Sequence, residues 1–137
     1  MRRAEALARA AFERSGHLAT VRPDGRPHVV VVTFALVGGH AVTAIDHKPK
    51  RTDRLQRLVN VEQTGRASLL VDHYEEDWSR LWWVRIDGSA SLHEADELYS
   101  SAIDGLVAKY AQYSDRAPEG PVIAISQDDV SSWESTP

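Results

Sequence analysis

The sequence predicts a mainly antiparallel β-barrel with flanking helices, and three features point there. Short β-branched runs are separated by tight turns, as at Pro23-Asp24-Gly25-Arg26-Pro27 and Gly38-Gly39. The strands come mostly in succession, which favours antiparallel pairing. Closure into a barrel removes the exposed edges that many short strands would otherwise leave.

The elements follow in order. Arg2 to Arg14 is alanine-rich, with Leu7, Ala10, Ala11 and Arg14 at helical spacing. Ser15-Gly16 ends that helix, and His17 to Arg22 reads as a short strand. The run Val29 to Phe34 reads as a strand buried on both faces. Gly38-Gly39 reverses the chain into Ala41 to Ile45, completing an antiparallel meander. Lys50 to Val61 switches to helical periodicity, with Leu55, Leu58 and Val59 on one side. Ala67 to Val71 and the long run Leu81 to Leu92 return to strand, with Gly88 marking a bulge or bend. Ala95 to Tyr113 is a helix carrying Leu98, Ala102, Leu106 and Tyr110 at four-residue steps. Val122 to Ile125 is the last strand, followed by a polar tail. The count is about six strands and three helices, and residues 1–137 read as one domain.

Composition narrows the function. The 137 residues are 42% hydrophobic and 26% charged, ordinary values for a soluble domain. A net charge of −4 argues against general nucleic-acid binding. The absence of cysteine excludes disulfides, thiolate metal sites and cysteine nucleophiles. The six histidines have no metal-motif spacing, so no metal site is expected. No apolar run approaches the roughly 20 residues of a membrane span. The first residues show no secretory pattern, so a cytoplasmic location is expected.

Two stretches carry candidate chemistry. His47 to Arg57 holds five cations (Lys48, Lys50, Arg51, Arg54 and Arg57) and one acid, in a chain that is acidic overall. It lies where a strand hands over to a helix. A helix start attracts anions and disfavours cations, so cations gathered there point to a bound phosphate. The alternative is a solvated basic helix face. The second stretch, Asp72 to Arg85, places Trp78, Trp82 and Trp83 within six positions. On a strand, Trp82 and Val84 face one way while Trp83 and Arg85 face the other. One set fits the core; the other fits a planar ligand or a dimer interface.

The order of these features resembles the pyridoxamine-phosphate-oxidase-like flavoproteins. Gly16 to Val21 with Asp24-Gly25-Arg26-Pro27-His28 resembles their first hairpin. Lys48 to Leu55, then Asn60-Val61 and Gly65 to Asp72, resembles their phosphate-binding segment and next strand. Asp77 to Gly88 is similar to an actinobacterial subgroup assigned to the deazaflavin coenzyme F420. The resemblance implies a six-stranded antiparallel split barrel and a homodimer with cofactor sites between subunits. It places the cofactor phosphate on Lys48, Lys50, Arg51 and Arg54, with Val31, Val32 and Thr33 beside the ring. Asn60, Trp78 and Arg85 are added as cofactor-binding candidates, the last two acting across the interface. It implies hydride transfer between coenzyme F420 and a small electron-poor organic substrate, with no side chain assigned as catalytic. The alternatives are an FMN-binding flavoprotein or a non-catalytic flavin- or haem-binding protein. No counterpart is found of the C-terminal segment that pyridoxamine phosphate oxidases use for substrate, so vitamin B6 oxidation is not expected.

Overall fold

The computed structural model describes residues 1–46 and 55–136. An opening helix, α1 (Arg3–Ala11), buries Ala6 and Ala10 and ends before Arg14. Strands β1 (Gly16–Val21) and β2 (Pro27–Val32) form a hairpin whose turn places Gly25 at φ 93°, a left-handed conformation suited to glycine. A second hairpin joins β3 (Ala35–Val37) to β4 (His40–Ala44). Helix α2 (Gln56–Thr64) follows; residues 50–54 of the expected helix lie outside the described residues. Then come β5 (Arg66–His73), a 3-10 turn (Trp78–Arg80), β6 (Trp82–His93), α3 (Glu97–Lys109), α4 (Ala111–Asp115), β7 (Val122–Ser126) and β8 (Asp129–Glu134).

All the strand pairs are antiparallel, in the order β2-β1-β5-β6-β7-β4-β3, with β8 on the other edge of β6. This is the antiparallel barrel with helices that the sequence predicts, in corrected form. Among the described residues there are eight strands rather than six, because β3 is only three residues long and the expected polar tail forms β8. Among the described residues the hydrogen-bonded path does not close. Its two ends, β2 and β3, are joined instead by the chain through Thr33-Phe34. The expected meander is therefore broken: β2 pairs with β1, whereas β4 pairs with β3 and β7.

β6 explains how one sheet becomes two. Its first part pairs with β5 and β8, and its last four residues, Ala90 to His93, pair with β7. Gly88 stands at this change of partner, where the backbones crowd. A Cβ there would lie 1.9 Å from the Ser126 carbonyl oxygen. Gly88→Ala is expected to destabilise the fold by about 2–3 kcal/mol, read as a lower denaturation midpoint, because only backbone movement relieves the clash.

The main core holds Leu18, Phe34, Leu58, Leu69, Val84, Ile86 and Ile123 inside the barrel. A second cluster seats α3 on β3, β4 and β7 through Ala102, Leu106 and Tyr110, the expected four-residue stripe. The expected helix to Tyr113 is interrupted at Tyr110, whose extended backbone separates α3 from α4.

The opposite face of the β2-β1-β5-β6-β8 sheet differs. Register aligns Val31, His17, Leu70, Arg85 and Ser131 in one row across it. Val29 and Val31 are 62% and 67% exposed, so the valine strand is buried on one face only. Among the described residues no helix is long and apolar enough to cross a membrane.

Candidate functional site

The split between β2 and β3 borders a cavity that gathers apolar, hydroxyl, acidic and basic side chains. Strand β2 ends at Val32, and Phe34 then turns inward and is fully buried. Two residues at the end of α3 fix this corner. Tyr110 Oη accepts from the Phe34 N–H at 3.1 Å, and its proton is shared between the Arg14 and Phe34 carbonyls. Lys109 Nζ donates to the Phe34 carbonyl at 2.9 Å and lies 3.6 Å from the centroid of the Phe34 ring.

Burial lowers the Lys109 pKa to about 8 from an ordinary 10.5, with the Arg14 charge adding to the effect and Glu13 opposing it. The unfolded chain thus keeps this proton between about pH 8 and 10.5 while the folded chain has released it. Stability must rise with pH across that window. Denaturation midpoints compared at pH 7 and 9.5 should show this gain in the native chain and lose it in Lys109→Met.

A cavity of about 220 Å³ opens beside the corner, lined by Val31, Val32, Thr33, Asp46, Arg57 and Tyr113, with Thr43 and Ala44 behind. Tyr113 Oη donates to Asp46 Oδ1 at 3.1 Å. Its single proton being committed there, the 2.8 Å contact with Thr33 Oγ1 is donated by the threonine. Burial, more than any other cause, raises the Tyr113 pKa, so the phenol keeps its proton. Arg57 stands in the first turn of α2. Its pKa is lowered by burial and raised by the Asp46 charge, and its Nε is buried without a hydrogen-bond partner among the described residues. A buried guanidinium nitrogen left unpaired is costly unless an acceptor arrives. The cavity thus combines an apolar strand wall, a positive charge short of an acceptor and a fixed proton. Such an arrangement can take up an anionic group.

The sequence-predicted residues distribute as follows. Val31, Val32 and Thr33 meet in this cavity. Lys48, Lys50, Arg51 and Arg54 lie outside the described residues, in the segment that follows Asp46. Asn60 is fully buried; its amide donates to Thr20 Oγ1 at 2.9 Å and accepts from Gln56 at 2.7 Å, so its hydrogen bonds tie α2 to β1. Arg85 belongs to a second, apolar cavity of about 350 Å³ on the outer sheet face, with Leu70, Tyr74, Trp83 and Trp133. There it pairs with Asp87 at 2.9 Å and lies 5.7 Å from the Trp83 ring. Trp82 and Val84 are buried, as strand alternation predicts. Trp78 is 67% exposed on the 3-10 turn and lines neither cavity. Asp46 and Tyr113 were not among the sequence candidates. They lie 67 residues apart, and no local pattern marks either. Among the described residues no group of three or more His, Asp or Glu is placed to hold a metal ion.

The model of the pyridoxamine 5'-phosphate oxidase family matches residues 4–134. The chain belongs to that family. Solved structures share the family's split-barrel fold with this chain at low identity. A conserved hypothetical protein of Mycobacterium tuberculosis superposes with TM-score 0.79 at 23% identity, covering 98% of this chain and 85% of that one. An FAD-binding protein of Mesorhizobium loti gives 0.75 at 18%, covering 96% and 92%. The haem storage protein of Vibrio cholerae gives 0.73 at 20%, covering 98% and 95%. No curated protein matches the chain. At these identities the likenesses carry the fold alone.

Proposed function

We propose that this member of the pyridoxamine 5'-phosphate oxidase family is an oxidoreductase that uses coenzyme F420 and a small electron-poor organic substrate. The observation that carries the reading is the β2 cavity, where Val31, Val32 and Thr33 meet an Arg57 guanidinium whose Nε has no protein acceptor among the described residues. The deazaflavin supplies the hydride when bound. The chain's own groups bind and orient. Val31 and Val32 offer an apolar wall that excludes water. Arg57 neutralises an anionic group, and Lys48, Lys50, Arg51 and Arg54 follow Asp46 in sequence to extend that role. Tyr113 holds a proton on Asp46 and fixes Thr33 in place. The sequence similarity of residues 77–88 to the F420 subgroup, and the cation density of 48–57, favour the more anionic deazaflavin over FMN. FMN is the second reading, favoured by membership of a family named for a flavin-dependent oxidase.

The same proposal includes a homodimer. The outer sheet face presents Val29, Val31, Leu70, Trp83 and Trp133 interleaved with His17 and Arg85, a mixed face whose apolar side chains a second copy would cover. Val29→Asp should convert the dimer to monomer in light scattering, because a buried unpaired carboxylate is costly. Hydride transfer itself is tested by following oxidation of reduced F420 with a quinone or enone acceptor. Turnover supports the enzyme; tight binding of cofactor without turnover on any acceptor would favour a storage or carrier protein.

A further inference from the structure

We propose that Arg22, His28 and Arg57 form an oxyanion subsite, for a phosphate or carboxylate group, between the β1–β2 hairpin and the first turn of α2. Backbone register brings the three together. His28 stands opposite Thr20 in the hairpin, and Thr20 accepts the hydrogen bond from Asn60. Arg57 lies three residues before Asn60 on α2, so it shares the helix face turned to that hairpin. Arg22 follows β1 directly and is held by reciprocal backbone bonds, its N–H to the Arg26 carbonyl and its carbonyl from the Gly25 N–H, both 2.8 Å.

Each of the three side chains has a nitrogen buried from solvent without a hydrogen-bond partner among the described residues: Arg22 Nε, His28 Nδ1 and Arg57 Nε. Buried polar groups are nearly always paired, and three unpaired nitrogens on neighbouring basic residues call for one shared acceptor. Two acids of the described residues, Asp24 and Asp46, do not supply it. Asp24 is engaged by Arg26 within the turn at 2.9 Å, and Asp46 acts on Arg57 from the cavity side while accepting from Tyr113. Burial first, then the Arg22 and Arg57 charges, lower the His28 pKa. An anion placed among them reverses that balance, so binding draws a proton onto the imidazole.

The subsite shares Arg57 with the proposed cofactor cavity but does not depend on hydride transfer, and a bound deazaflavin would offer its phosphodiester or tail carboxylates as one source of the anion. Free phosphate is the other. The test is 15N NMR of the histidine rings in the full chain, with the His28 signal assigned by its loss in His28→Gln. The titration midpoint of His28 is read alone, with inorganic phosphate and with F420. A rise of about one unit or more is expected with at least one of them. Arg22→Gln and Arg57→Gln should each weaken the response about tenfold in ligand concentration, as loss of a charge-assisted hydrogen bond does. Movement with phosphate alone assigns the free anion, and movement with F420 alone assigns the cofactor. The subsite is overturned if neither moves His28 in folded protein, whether or not F420 binds. It is equally overturned if the response persists unchanged in both arginine variants. Failure of hydride transfer would leave the phosphate response intact.

Discussion

Arg57→Glu is expected to weaken binding of the phosphate-bearing cofactor by about a hundredfold or more, while leaving the fold intact. The side chain stands half-buried in the first turn of α2, and its Nε has no acceptor among the described residues. A charge-assisted hydrogen bond to phosphate is worth about 1.5–3 kcal/mol, and reversal adds repulsion to the loss. Since about 1.4 kcal/mol is tenfold in affinity, the combined effect reaches two decades. Fluorescence titration of the variant with F420 checks it. The new carboxylate would also face Asp46, so the loss should ease at low pH and persist at neutral pH.

Phe34→Ala is expected to be the most damaging substitution for stability, costing about 3–5 kcal/mol. Phe34 is fully buried and occupies the two-residue link that joins the ends of the open sheet. Tyr110 and Lys109 both bond its backbone, and the Lys109 ammonium rests on its ring. Truncation opens a cavity in the main core and removes the cation–π partner of a partly buried lysine. Denaturant unfolding measures the loss. Cofactor affinity should fall with it, since Thr33 and Val32 are the adjacent residues of the cavity wall.

The two substitutions also mark what could be read from the sequence. The valine run, the Gly38-Gly39 turn and the 98/102/106/110 stripe are local patterns, and each became the corresponding strand, turn or helix face. Val31 and Val32 close the expected valine strand, and with Thr33 just after it they line the cavity beside Arg57. What stayed hidden depends on tertiary pairing. β8 reads as polar tail because Asp129 to Glu134 is a partly exposed strand whose partner, β6, lies some 45 residues earlier. The valine strand looked doubly buried because its outer face is apolar too, and the single chain leaves Val29 and Val31 exposed. Arg57 was visible as part of a basic run, but its buried Nε was not. Asp46 and Tyr113 meet only through the fold.

The most direct test of the account is a parallel fluorescence titration of the purified chain with coenzyme F420 and with FMN. Micromolar or tighter binding of the deazaflavin, in preference to FMN and abolished by Arg57→Glu, is the predicted result. Binding of neither cofactor would contradict the proposal that the β2 cavity holds a phosphate-bearing redox cofactor.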